Sequence, residues 1–190
     1  MDFRLFIALR LEEAIRDRLS RLQSDLQAAD RRGEVRWVDP NAMHLTLRFL
    51  GATPEAAVPG LVTALGANLA AAHRIRLGLA GIGGFPQLRR PRVVWLGLQG
   101  DLEALGALQA RIEAAVTATG WPAENRPFQP HLTLGRVRRP GQPLMPALAA
   151  AIESAQVEPG SEAHSHLALV RSHLGPAGSR YEDLSRWDLA

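Results

Sequence analysis

The sequence predicts an α+β fold built on a mainly antiparallel sheet. Two observations carry that prediction. Extended segments outnumber helical ones, and the links between them are short. The tetrapeptide His-Leu-Thr-Leu also occurs twice, at His44 to Leu47 and at His131 to Leu134, each time inside an apolar extended run. The two histidines stand 87 positions apart, close to half of the 190 residues, as an internal duplication would place them.

The elements follow in order. Residues 3–9 read as a strand. Leu11, Ile15, Leu19, Leu22 and Leu26 then recur at helical spacing, which predicts an amphipathic helix over 11–29, closed by Arg31-Arg32-Gly33. Residues 35–38 are extended, Asp39-Pro40-Asn41 turns, and the first motif strand follows. Thr53-Pro54-Glu55 has the form of a helix start, with a capping Thr and Pro at the first position, and Pro59 is an alternative start. That helix runs to about residue 72. Residues 74–80 and 93–98 read as strands, joined by the turn-rich loop Gly81-Ile82-Gly83-Gly84-Phe85-Pro86. Asp101 caps a helix with Leu102, Leu105, Leu108, Ile112 and Val116 on one face. After the second motif strand come a loop at 141–146, a short helix over 147–156, and closing strands at 166–171 and 179–187.

Side chains alternate faces along a strand. Each motif copy therefore shows His and Thr on one face and two Leu on the other. A lone His-x-Thr in a strand is ordinarily structural. Two copies change the balance, because duplication keeps Leu for packing but has no packing reason to keep His and Thr on the opposite face twice. Two imidazoles can divide acid and base work near neutral pH, one giving a proton and one taking it. Two threonine hydroxyls can hydrogen-bond the oxygens of an anion between them. A phosphodiester suits this set, since displacement at phosphorus is in line, with nucleophile and leaving group on opposite sides. No metal or other cofactor is required, and no carboxylate cluster of the two-metal type is apparent.

Composition narrows the setting. The chain is 46% hydrophobic and can bury a sizeable core as one compact domain spanning 1–190. It contains no Cys, which excludes disulfides and Cys-ligated metals. No leader and no membrane-length apolar run is read, so the expectation is a soluble cytoplasmic protein. All 22 basic residues are Arg, and the net charge is only +3, so the pI near 10.7 reflects the shortage of groups titrating at high pH. Arg forks onto phosphate through paired hydrogen bonds, which Lys cannot do. A general compositional bias explains the Arg set equally well.

These residues resemble the RNA 2′,3′-cyclic phosphodiesterases, also called 2′-5′ RNA ligases, of the two-histidine phosphoesterase superfamily. That family has two His-x-Thr-x motifs, matched here by His44/Thr46 and His131/Thr133. The likeness extends over nearly the whole chain. Arg4-Leu5-Phe6-Ile7-Ala8-Leu9 resembles the opening strand, and residues 41–51 the first motif. Arg92-Val93-Val94-Trp95-Leu96-Gly97 is similar to the strand before the second long helix. Arg126-Pro127-Phe128-Gln129-Pro130 leads into a second motif that ends at Arg136. Arg180-Tyr181 and Ser185-Arg186-Trp187 resemble the closing strand.

The resemblance implies a bilobal, pseudo-twofold fold of two interleaved halves, with helices flanking the sheets and a central cleft carrying the motif strands. It implies hydrolysis of an RNA 2′,3′-cyclic phosphate end to a 2′-phosphate, with reverse 2′-5′ ligation as a companion activity. His44 would be the proton donor to the departing 3′ oxygen and His131 the proton acceptor from water. Thr46, Thr133 and Arg136 would hold the phosphate, and Phe128 would touch substrate. Arg48 and Arg126 are weaker candidates. The expected partner is RNA with a cyclic phosphate terminus, tRNA fragments among them, acted on by a monomer without a membrane. Two alternatives stand beside this: a two-histidine enzyme for another small cyclic or 2′-5′-linked nucleotide, and a non-catalytic nucleotide-binding module. Phe6 and Trp95 can stack on a base or pack inside. His73 suits a helix end. His164, His166 and His173 lie close in sequence, but their spacing fits solvated surface positions better than a metal site.

Overall fold

The computed structural model describes residues 1–175 and 178–190. The elements run β1 (Asp2–Arg10), α1 (Glu13–Ala29), β2 (Val35–Trp37), β3 (His44–Pro54), α2 (Val58–Leu69), β4 (Ile75–Phe85), β5 (Val93–Gly100), α3 (Leu102–Ala118), β6 (His131–Val137), α4 (Pro146–Ser154), β7 (Glu162–His164), β8 (His166–Gly175) and β9 (Gly178–Asp188). The strands form one sheet in the order β7-β4-β5-β6-β3-β1-β8-β9, with β2 added against β6. Every pairing among them is antiparallel. The predicted α+β class therefore holds.

The motif strands β3 and β6 meet at the centre of the sheet. From that seam the order outward is β3-β1-β8-β9 on one side and β6-β5-β4-β7 on the other. The run β1-α1-β3-α2 parallels β5-α3-β6-α4, and α1 and α3 are both 17 residues long. Strands β8 and β9 return to the side of β1 and β3, so the two sides of the sheet are not the two halves of the sequence.

One large core joins all four helices to one face of the sheet. Ile15, Leu19, Leu22 and Leu26 of α1, Leu61 and Leu65 of α2, Leu108 and Ile112 of α3, and Leu148 and Ile152 of α4 pack with Leu45, Leu47, Leu132 and Leu134 of the motif strands. A smaller cluster of Phe6, Ala8, Ala168 and Val170, with Tyr181 against it, lies on the other face. Strand β1 feeds both: Leu5, Ile7 and Leu9 enter the main core, Phe6 and Ala8 the smaller one. Its unbroken apolar run follows from burial on both faces.

Several expectations are corrected. Residues 81–85 are not a loop but the end of β4, with a bulge between Leu79 and Ile82. Their glycines make room rather than turns: Gly83 lies opposite Trp95, and a Cβ there would sit 2.2 Å from the indole. A short 3-10 turn over Glu55–Ala57 does follow Pro54 and leads into α2, but Thr53 does not cap it. Thr53 and Pro54 end β3, paired with Phe3 and Asp2, and α2 begins at Val58. Asp101 stands at the N-terminus of α3, but its carboxylate accepts from the Arg76 backbone N–H on β4 at 3.1 Å instead of capping the helix. Strand β7 was not foreseen. Among the described residues no helix is long and apolar enough to cross a membrane.

Candidate active site

Leu45 of β3 pairs with Leu132 of β6. These two leucines hold the same place in the two copies of the motif, so a local twofold axis passes between them. Antiparallel register then does the rest. Both leucines point into the main core. His44, Thr46, His131 and Thr133 are thrown onto the opposite face, with each His diagonal to its counterpart. In a regular ladder such diagonal neighbours lie about 7–8 Å apart, with their Cβ atoms somewhat closer. The four side chains that the sequence singled out thus share one surface, built by neighbouring strands of a single sheet.

Both imidazoles are fixed in the same way. His44 Nδ1 donates to the Ala42 carbonyl at 2.9 Å, and His131 Nδ1 to the Gln129 carbonyl at 2.7 Å. A carbonyl only accepts, so the proton of the neutral ring sits on Nδ1 and Nε2 is the atom left for chemistry. Each ring also has an aromatic support. Phe6 stacks on His44 with centroids 4.6 Å apart, and Tyr181 meets its edge at 5.0 Å. Phe85 meets His131 edge to face at 4.9 Å, with Trp95 at 6.2 Å. Phe6 and Trp95 are therefore props for the histidines. Burial pushes the His44 imidazole down to about 4. The nearby Arg10 guanidinium adds to the fall, and the bond to Ala42 opposes it.

The threonine hydroxyls engage no protein partner among the described residues and stand free on the motif face. The residues beyond them are set by two matching bulges. In β3 the register slips between Thr46 and Arg48, and in β6 between Thr133 and Gly135. A bulge adds one residue and shifts the alternation by one. Leu47 and Arg48 accordingly both face the helices, as do Leu134 and Gly135. Arg48 lies opposite buried Ile7 and meets Glu113 of α3 at 2.7 Å and Glu124 at 3.6 Å. A Cβ on Gly135 would lie 2.3 Å from buried Val35. The next residue in each strand returns to the motif face: Phe49 in one, Arg136 in the other. Arg136 is exposed, and Phe49 is exposed yet touches Phe6 at 5.8 Å.

Sequence reasoning had not singled out Phe49. Nothing in β3 itself marks its bulge; the only hint is Gly135 at the matching place in β6, an isolated Gly in an apolar strand. Phe128 is half-buried against the main core. Arg126 is held by both oxygens of Glu124 at 3.0 and 2.8 Å. Three of the other four histidines have separate partners: His164 is buried at the Arg10 carbonyl, His166 pairs with Asp188, and His173 with Glu182, while His73 lies beyond the end of α2. No cluster of three or more metal-ligating side chains occurs among the described residues.

Comparison with known proteins places the fold in a family. The family model of the 2′-5′ RNA ligase superfamily matches residues 11–176. The chain is 36% identical over 185 residues to the RNA 2′,3′-cyclic phosphodiesterase of Methanothermobacter thermautotrophicus, covering 97% of each. It is also 36% identical to the Thermus thermophilus protein of the same name, covering 98% of this chain and 90% of that one. Among solved structures, Escherichia coli LigT complexed with 3′-AMP superposes with a TM-score of 0.76 at 28% identity, covering 100% and 99% of the two chains. With both motifs on one face of such a sheet, this chain belongs to the 2′-5′ RNA ligase superfamily.

Proposed function

We propose that this protein hydrolyses RNA 2′,3′-cyclic phosphate ends to 2′-phosphate ends without a metal ion. The observation that carries this is the pairing of Leu45 with Leu132, which sets two Nε2 atoms and two threonine hydroxyls around one twofold axis. A cyclic phosphate placed on that axis has a histidine toward each of the two oxygens that change. His131 takes a proton from water as the water oxygen bonds to phosphorus. The bond from phosphorus to O3′ breaks, and His44 gives its proton to O3′. The product carries a 2′-phosphate and a 3′-hydroxyl. Thr46 and Thr133 donate to the non-bridging oxygens, and Arg136 offers a paired hydrogen bond to the same group.

Phe49 supplies an exposed ring beside the phosphate site, on which a terminal base can stack. Phe128, half-buried at the edge of the core, is the other aromatic side chain offered to the substrate. His44 is neutral in the free protein at neutral pH, so the acid role requires proton uptake when the anionic substrate arrives; a nearby negative charge favours that uptake. All four motif side chains come from one chain, so a monomer suffices. The same reading places the enzyme in the cytoplasm, acting on RNA ends that include tRNA fragments, with 2′-5′ ligation as the reverse reaction.

The test is direct. Purified protein is incubated with an RNA ending in a 2′,3′-cyclic phosphate in the presence of EDTA. Undiminished conversion to the 2′-phosphate is expected. A strict requirement for a divalent ion, or a 3′-phosphate product, would refute the proposed chemistry.

A further inference from the structure

The twofold axis between Leu45 and Leu132 also relates the strands outside the motif pair. Leu9 of β1 stands opposite Leu45, and Leu96 of β5 stands opposite Leu132. The symmetry holds in register and breaks in chemistry. Ala8 lies opposite Thr46 where Trp95 lies opposite Thr133. Arg10 lies opposite His44 where Gly97 lies opposite His131. Residues directly opposite across a ladder share a face, with Cβ atoms about 4.5–5.5 Å apart. One histidine therefore has a guanidinium for its neighbour, and the other has no side chain there.

Arg10 is held in place. One carboxylate oxygen of Asp183 on β9 takes Arg10, and the other accepts from Arg186 Nε at 2.8 Å. The Asp183 side chain is only 8% exposed. Arg10, Tyr181, Asp183 and Arg186 line one cleft of about 900 Å³ together with Ala42, whose carbonyl fixes the His44 ring. Among the described residues, the titratable and charged groups on the strands packed against His44 are thus Arg10 on β1, Tyr181, Asp183 and Arg186 on β9, and His131 on β6. Other polar groups of the cleft are engaged elsewhere. Glu12 accepts from Ser165 at 3.4 Å, Asp39 from the Asn41 backbone N–H at 2.9 Å, and His166 pairs with Asp188. A cation beside an imidazole disfavours its protonated form. Burial comes first in weakening the hold of His44 on a proton, and Arg10 adds to it. Asp183 works the other way, by offsetting part of the Arg10 charge.

We propose that Arg10, clamped by Asp183, is a positioning residue that breaks the twofold site and makes His44 the readier proton donor of the two histidines. This rests on the acid–base reading proposed above and deepens it. The substrate phosphate brings a negative charge that offsets Arg10, and His44 takes a proton from solvent. Arg10 then favours transfer of that proton to O3′ as the bond from phosphorus to O3′ breaks.

The experiment follows the His44 ring by NMR in substrate-free protein as pH is varied. It uses wild type, Arg10→Gln, Arg10→Lys and Asp183→Asn, with His44→Ala to assign the signal. Wild type should titrate at about 4. Arg10→Gln should titrate higher, yet below the ordinary value of about 6.5, because Phe6 and Tyr181 still pack on the imidazole. Arg10→Lys keeps the charge and should stay close to wild type. Asp183→Asn leaves Arg10 without its carboxylate and should move the ring further down. The acid limb of kcat/KM on a 2′,3′-cyclic phosphate should follow the NMR value from protein to protein. An unmoved ring in Arg10→Gln would overturn the proposal. So would a Lys variant that behaves as the Gln variant, since the charge would then not be the cause. Shifts of the same sign in Arg10→Gln and Asp183→Asn would also overturn it, being the result of a pair that only ties strands together. Backbone amide spectra check the fold of each variant; if Asp183→Asn unfolds, the Gln and Lys variants decide alone. If wild type opened no cyclic phosphate, the acid–base reading would fail by itself, and the titration would still decide whether Arg10 acts on His44.

Discussion

His44→Gln should change how stability depends on pH, and the structure sets the size of the effect. The imidazole lies against Phe6 and Tyr181, and burial holds it at about 4. An unfolded chain returns it to about 6.5. The folded value is the lower one, so the unfolded state binds the proton first as pH falls. Stability is therefore whole above about pH 6.5 and is lost between there and about pH 4, at up to about 1.4 kcal/mol per unit. Between pH 7 and 4.5 the wild type should lose about 2 kcal/mol through this group alone. Gln keeps a polar side chain but cannot titrate, so the variant lacks that loss. Other groups titrate in both proteins and cancel in the difference. The assay is urea unfolding of both proteins at pH 7, 6, 5 and 4.5. The variant should gain relative to wild type by about 2 kcal/mol over that range. A difference that stays flat with pH would refute a partly buried imidazole held neutral by its surroundings.

Three further outcomes follow from individual contacts. Thr46→Val and Thr133→Val each remove one hydrogen bond to a charged phosphoryl group, so kcat/KM should fall roughly 10–100-fold with melting unchanged; unaltered kinetics in both would remove the hydroxyls from phosphate binding. Arg48→Ala leaves Glu113 without its cation and Glu124 with Arg126 alone. Both carboxylates are about a quarter exposed, so the loss should lie at the lower end for a broken buried pair, about 3 kcal/mol by urea unfolding. Gly135→Ala drives a Cβ into Val35 and should destabilise by about 1–3 kcal/mol, with Val35→Ala in the same chain restoring part of it.

Local rules made the motif strands readable. Leu45 and Leu132 point inward because strand alternation demands it, and the repeat of the tetrapeptide announced a twofold site. The same alternation misleads three residues later. Continued strictly, it puts Arg48 with the histidines and both Phe49 and Arg136 with the leucines. The bulges after Thr46 and Thr133 reverse all three. A bulge is a property of a strand pair, so it leaves little trace in one strand; Gly135 is the trace here. The glycines of β4 misled in the opposite sense. Gly ordinarily marks a turn, but Gly83 is small because the Trp95 ring crosses it, a contact with a residue of the neighbouring strand twelve positions on. Strand β7 was illegible because Glu162-Ala163-His164 has no apolar pattern, and only pairing with β4 makes it a strand. Asp101 belonged where it was expected, but its acceptor went to the Arg76 N–H, a choice made by tertiary proximity.

The division of labour between the histidines is where symmetry and environment pull apart. Both rings donate through Nδ1 and both present Nε2, so the local geometry does not tell acid from base. Burial favours neutral His44, which suits a base, while the family resemblance assigns it the acid. The substrate resolves this. An acid matters only to a leaving group that needs a proton. With sulfur in place of the 3′ bridging oxygen, the departing thiolate is far less basic than an alkoxide, while water must still be activated. On the natural substrate, His44→Ala and His131→Ala should each lower kcat by roughly 10²–10⁴-fold, the usual worth of a positioned acid or base. On the 3′-thio substrate, His44→Ala should recover most of that loss and His131→Ala should recover none. Recovery confined to the His131 variant would exchange the two roles and agree with the depressed ionisation of His44. Equal recovery in both would mean that the twofold axis through Leu45 and Leu132 lets the substrate bind in either sense.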